Sequence, residues 1–89
     1  MNDDLIKEKF FKAIDSLCKD DKCESCPPFG WIKFTLKDGS IWRIRGTDKS
    51  FFGKRFYCSA SINSLETEIS NDTYEKIWNY CTKKIFSLN

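Results

Sequence analysis

Apolar residues recur at helical spacing near both ends of the chain. Near the N-terminus they predict a helix that begins at Asp3 and Asp4 and fades near Cys18, because residues three or four positions apart share one helix face. Its apolar face consists of Ile6, Phe10, Ala13, Ile14 and Leu17. Ser70 is predicted to cap a second helix, whose apolar stripe consists of Tyr74, Ile77, Trp78, Cys81 and Ile85. Since each helix has one stripe, we expect both to cover the same face of a sheet.

Between residues 30 and 46, the sequence GWIKFTLKDGSIWRIRG alternates apolar and polar residues and predicts a hairpin. Its Asp-Gly dipeptide is compatible with a two-residue turn, but that register mixes apolar and charged side chains on both faces. A three-residue loop over 37–39, with Gly39 in a left-handed conformation, instead places Phe34 opposite Trp42 on an apolar face. A slip of one residue exchanges the two faces of a strand. We therefore prefer the three-residue loop, because its register gathers the apolar residues Ile32, Phe34, Trp42 and Ile44 on one face.

The remaining segments complete a small α+β domain that spans residues 1–89. The segment 55–62 alternates again and predicts a third strand, and LETEI at 65–69 predicts a short fourth one. The polar stretch KDDKCESCPP, residues 19–28, is interpreted as a loop because two prolines interrupt regular structure. The predicted fold is therefore an antiparallel sheet of three to four strands, with an N-terminal and a C-terminal helix on one face.

Positive charge is concentrated in the middle of the chain, although the formal net charge is only +2. Residues 30–58 contain seven basic and two acidic side chains, whereas both flanking segments are slightly acidic. An asymmetry of this kind points to a partner rather than to a fold. The small net charge nevertheless argues against a strong nucleic-acid binder, because such domains are usually more basic.

The predicted register collects basic and aromatic side chains on the face away from the helices. These residues are Trp31, Lys33, Arg43, Arg45, Arg55 and Tyr57. Lys33 lies opposite Arg43, and like charges facing each other across strands cost stability. An anion bound between them would relieve the repulsion. Phe51 and Phe52, adjacent in a loop, are further candidate anchors for a partner. Three interpretations stay open: a solvated face, a nucleic-acid surface, or a docking site for an acidic protein surface.

Three cysteines follow the first predicted helix at close spacing. Cys23 and Cys26 have the spacing of a zinc knuckle, with Cys18 as a third ligand and Cys58 or Cys81 as a candidate fourth. Zinc would fasten a loop that has few other contacts. The alternatives are free thiols or a redox pair formed by Cys23 and Cys26.

Catalysis has little support in the sequence. The chain has no histidine, which excludes a serine-histidine-aspartate triad, and it has no glycine-rich phosphate loop. The charged N-terminus lacks a signal-peptide core, so we expect a cytoplasmic protein with reduced cysteines. In size and in its exposed charged sheet face, the chain resembles the small inhibitors carried by phages and mobile elements, anti-CRISPR proteins included. That resemblance implies a non-catalytic module that docks on a protein or a protein–nucleic-acid complex. The alternative is a nucleic-acid-binding regulator stabilised by zinc.

Overall fold

A computed structural model of the protein describes residues 3–26, 30–47 and 57–88. Within these ranges, five antiparallel strands form one sheet, in which their spatial order follows their order along the chain. The elements are α1 (Asp3–Asp15), β1 (Lys22–Cys26), β2 (Trp31–Thr35), β3 (Ile41–Gly46), β4 (Cys58–Ile62), β5 (Leu65–Ile69) and α2 (Asn71–Leu88). The α+β class and the two terminal helices are confirmed. The sheet has one strand more than the sequence predicts.

The additional strand is β1, which the sequence analysis interprets as a loop. Its residues, KCESC, have little intrinsic preference for a strand. They nevertheless pair with β2 along their whole length, from Lys22 opposite Thr35 to Cys26 opposite Trp31. The physical reason is the unpaired backbone edge of β2, whose N–H and C=O groups gain partners when β1 lies beside them. The interpretation of this segment as a loop is therefore wrong.

The β2–β3 hairpin has the predicted register. Phe34 lies opposite Trp42, and Lys33 lies opposite Arg43. The loop is closed by a hydrogen bond of 3.0 Å from the Leu36 N–H to the Ser40 carbonyl. Gly39 has a φ of 88°, in the left-handed region that favours glycine. The three-residue loop with its left-handed glycine is thereby confirmed.

The β4–β5 turn is the other tight connection of the sheet. Asn63 and Ser64 both have positive φ, as the central residues of a type I′ turn require. The Asn63 side chain also accepts a hydrogen bond of 2.8 Å from the N–H of Ile41, which ties the turn to β3. The predicted fourth strand, now β5, therefore begins immediately after this turn.

Both helices pack on the same face of the sheet, as predicted. From α1, the Phe10 ring lies 5.0 Å from the ring of Trp42. From α2, the buried Tyr74 hydroxyl donates a hydrogen bond of 2.7 Å to the Gly30 carbonyl. The core between these layers includes the following buried residues: Ile6, Phe10, Ala13, Ile14, Leu17, Ile32, Phe34, Ile44, Cys58, Ala60, Ile69, Tyr74, Ile77 and Cys81. Neither described helix is long and apolar enough to cross a membrane.

A carboxylate joins the N-terminal ends of the two helices. Ser70 caps α2, since its hydroxyl accepts a hydrogen bond of 3.1 Å from the N–H of Thr73. Asp3 then accepts hydrogen bonds from the Ser70 N–H at 2.9 Å and from the Thr73 hydroxyl at 3.1 Å. The hydrogen bonds from Ser70, with a smaller contribution from Thr73, hold the pKa of Asp3 below its usual value. The ionised carboxylate is therefore the form that stabilises this junction.

We expect Asp3→Asn to reduce the free energy of unfolding at neutral pH, with a difference from the wild type that disappears in acid. A lowered folded-state pKa gives stability that is present above the unfolded-state pKa and is lost as pH falls through the folded-state pKa. The measurement is urea unfolding followed by circular dichroism between pH 7 and pH 2. Glu8→Gln, an exposed change on the same helix, is the control. An Asp3→Asn difference that is equal at all pH values would contradict the assignment.

Candidate functional site

The face of the sheet opposite the helices, called the open face here, carries charged side chains in register. Its central row runs across all five strands, and the paired residues are Glu24, Lys33, Arg43, Ser61 and Glu66. The strand pairing places these side chains on one side, because alternate residues of a strand point to opposite faces. The apolar partners Phe34, Trp42 and Ile44 point to the helices. The alternation that builds the core thus also builds the charged row.

Lys33 and Arg43 form the centre of this row. They are directly opposite each other and both are half-buried. Within the described residues neither side chain forms an ion pair, although Glu24 lies across the ladder from Lys33. Two adjacent cations that are partly removed from water repel each other more strongly than exposed ones do. The sheet therefore holds a local concentration of uncompensated positive charge.

Arg45 differs from these two cations, because it has an anionic partner. Its Nη2 atom lies 3.5 Å from Oε1 of Glu66, and the same oxygen accepts a hydrogen bond of 2.7 Å from the buried Ser59 hydroxyl. Glu66 belongs to β5, so the Arg45 guanidinium reaches across β4 to this carboxylate. The sequence places Trp31 opposite Arg45, and this register is confirmed. Arg45 nevertheless forms its ion pair with Glu66, two strands away from its own position opposite Trp31.

The basic centre lines a concavity of the sheet. Its volume is about 280 Å³. The lining residues are Glu24, Trp31, Lys33, Arg43 and Arg45. One wall is thus the half-buried ring of Trp31, and cations form most of the remainder. A space of this volume can hold one or two anionic side chains.

Acidic residues at both edges of the open face were missed by the sequence analysis. Glu24 lies on β1, while Glu66 and Glu68 lie on β5. Assigning LETEI as a strand places both of its glutamates on the same face as Arg43. The alternation of this segment could therefore have revealed their position. Glu24 could not be placed in this way, because its segment was interpreted as a loop.

Three of the candidate anchors lie outside the described residues: Phe51, Phe52 and Arg55. Tyr57 is described and is partly exposed. Its backbone is fixed to Thr47 by a hydrogen bond of 2.9 Å from the Tyr57 N–H to the Thr47 hydroxyl. Tyr57 therefore stands beside the sheet at the start of β4, outside the concavity.

The structure does not bring the four candidate zinc ligands together. Cys23 and Cys26 lie on opposite faces of β1, as the register with β2 shows. Cys18 is exposed, whereas Cys58 is buried in the core. Among the described residues, no group of three or more histidine, cysteine, aspartate or glutamate side chains is arranged to hold a metal ion. A zinc ion shared by these four thiols would require β1 to leave the sheet.

Comparison with known protein families, with characterised proteins and with solved structures gave no match to this chain.

We expect Arg43→Gln to raise the free energy of unfolding by about 0.2–1 kcal/mol at low salt, because it removes the repulsion from Lys33. The gain should shrink as salt is added, since ions screen the repulsion between the two cations. Urea unfolding at low and high sodium chloride measures both effects. Lys83→Gln, which removes an exposed charge from α2, should change little. A loss of stability in Arg43→Gln at low salt would argue against an uncompensated pair.

Proposed function

We propose that the protein is a small non-catalytic binding module whose open face receives an acidic segment of a partner protein. The observation that carries this proposal is the pair formed by Lys33 and Arg43, two facing, half-buried cations that form no ion pair with any of the described residues. A carboxylate placed between them would replace one repulsion with two attractions. Charge-assisted hydrogen bonds of this kind are among the strong ones in protein interfaces.

The charges around the concavity favour a protein partner over a nucleic acid. In the described part of the open face the basic residues are Lys22, Lys33, Arg43 and Arg45, and the acidic ones are Glu24, Glu66 and Glu68. A nucleic-acid strand that crossed the sheet would bring its phosphates against these glutamates at either edge. A single acidic side chain can enter the basic centre and leave the edges to basic or polar groups of the partner. Such an arrangement of opposite charges supports specificity.

Trp31 supplies the apolar part of the proposed contact. Its ring lines the concavity beside the cations. Tryptophan and arginine are enriched among the residues that contribute most to protein interfaces. The proposed ligand is therefore a segment with a carboxylate for Lys33 and Arg43 and an apolar group for the Trp31 ring.

A module of this kind acts by occupying a surface. We propose inhibition by occlusion as its biological role, on a protein or a protein–nucleic-acid complex, as in the small inhibitors of phages and mobile elements that the chain resembles in size. The support is the small single domain and the concentration of charge at one concavity, together with the lack of a histidine-based catalytic set in the sequence.

The test is fluorescence anisotropy with a labelled peptide that contains aspartate, glutamate and tryptophan, at about 50 and 200 mM salt. Wild-type protein should bind the peptide, and Arg43→Glu should weaken binding by about tenfold or more, because the reversed charge repels the carboxylate. Lys83→Glu makes the same change in net charge on α2 and should bind like the wild type. Equal binding by Arg43→Glu and the wild type would exclude this face.

The same titration with labelled single- and double-stranded RNA and DNA tests the nucleic-acid alternative. Trp31 favours that alternative, because an aromatic ring beside cations can stack on a base. Oligonucleotide binding that falls steeply with salt, with no binding of the acidic peptide, would replace the protein partner with a nucleic acid.

A further inference from the structure

Cys23 and Cys81 belong to different layers of the fold and meet in its core. Cys23 lies on the edge strand β1 opposite Phe34, so its side chain points to the helices. Cys81 lies on the buried stripe of α2. Cys23 is half-buried and packs against the core cluster that contains Cys81. The spacing of cysteines along the chain gives no sign of this pairing.

The structure brings the two thiols near each other, because Cys23 faces the helices and shares a cavity with Ile85, which lies about one turn beyond Cys81 on α2. The interaction with Cys81 lowers the pKa of Cys23, and the same interaction, together with burial, raises the pKa of Cys81. The chemical roles of the two thiols are therefore different. Cys23 is the one that ionises more readily, and a thiolate rather than a thiol attacks a disulfide. Cys81 keeps its proton and remains beside that sulfur.

Cys23 is also the member of the pair that a reagent can reach. It lines a surface cavity of about 200 Å³ between the end of α1 and the end of α2. The other lining residues are Leu17, Cys18, Lys19, Asp21, Ile85 and Leu88. Cys81 is not among them and is buried. A small disulfide can thus approach Cys23 from the cavity, whereas Cys81 lies buried in the core.

We propose that Cys23 and Cys81 are a reversible redox pair, in which Cys23 reacts with a small-molecule disulfide of the glutathione class and Cys81 resolves the product. The Cys23 thiolate attacks one sulfur of the reagent, its S–S bond breaks, and one thiol leaves with a proton from solvent. Cys81 then attacks the Cys23 sulfur, the bond between that sulfur and the reagent breaks, and the Cys81 proton passes to the departing sulfur, which leaves as the second thiol. The protein loses two electrons and two protons, and the reagent becomes two thiols.

The other cysteines are placed less well for this reaction. Cys26 projects to the open face, on the opposite side of β1 from Cys23. Cys18 lines the same cavity, but its thiol is exposed and donates a hydrogen bond of 3.5 Å to the Ser16 carbonyl. Cys58 is buried, and its sulfur lies 4.0 Å from Oδ1 of Asn71. The redox pair that the sequence suggested, Cys23 with Cys26, is thus replaced by a pair that joins β1 to α2.

The experiment is mass spectrometry of the protein after treatment with glutathione disulfide, alkylation of free thiols and digestion with trypsin. It uses the wild type and Cys26→Ser, since Cys23 and Cys26 fall in one tryptic peptide. Both proteins should give a peptide of Cys23 cross-linked to one of Cys81, and dithiothreitol should reverse the link. The oxidised form should also melt higher than the reduced form, by on the order of 10 °C, because a long loop is closed.

Cys81→Ser isolates the resolving step. Without Cys81, glutathione should stay on Cys23 as a mixed disulfide. If this variant does not fold, the Cys26→Ser protein still tests for the link between Cys23 and Cys81, because it retains both cysteines. A link from Cys23 to Cys18, a stable glutathione adduct on Cys23 of the wild type, or four-fifths or more of both thiols still free after prolonged treatment would overturn the proposal.

Discussion

The alternation of side chains in the β2–β3 hairpin is the constraint on which the rest of the structure depends. The left-handed Gly39 sets a three-residue loop, and this loop fixes Phe34 opposite Trp42. Every apolar residue of the two strands that builds the core then points to one side. Both helices pack there, because that face carries the apolar side chains Ile32, Phe34, Trp42 and Ile44. The same register leaves Lys33 opposite Arg43 on the other side.

The two consequences of this register cannot be separated. A shift by one residue would relieve the contact between Lys33 and Arg43, but it would also turn the core-facing side chains of one strand toward water, either Ile32 and Phe34 or Trp42 and Ile44. Burial of such side chains stabilises the fold by about 1.5–3 kcal/mol each, whereas a like-charged pair across strands costs at most about 1 kcal/mol. The core therefore decides the register, and the repulsion persists. Glu66 compensates Arg45, and an external anion is the partner that we propose for the central pair.

The features that the sequence predicts are those that a local pattern determines. Helical spacing located α1 and α2, and the period of two together with Gly39 located the hairpin and its register. The edge strand β1 was missed because its residues have low strand preference and its pairing comes from the exposed edge of β2. The position of Glu24 on the open face was lost with it. The approach of Cys23 to Cys81 depends on how a helix packs over a strand, which cysteine spacing does not reveal.

The candidate site also combines features that a local pattern determines with features that depend on contacts between distant elements. Strand alternation placed Trp31, Lys33, Arg43 and Arg45 on one face correctly. It could not show that Arg45 would turn to Glu66, because that contact spans β4 and depends on the order of the strands. The result is a basic centre smaller than the charge of the middle segment suggests, with two cations available to a ligand.

The most direct test of an anion-binding centre between Lys33 and Arg43 is a ¹H–¹⁵N NMR titration of the protein with glutarate, with sodium chloride at equal ionic strength as the reference. If glutarate binds between Lys33 and Arg43, the amide chemical shifts of β2, β3 and the neighbouring β1 should change and saturate. Those of α1 and α2 should not change. Shifts that do not saturate, or that are equal in both salts, would contradict binding at this site.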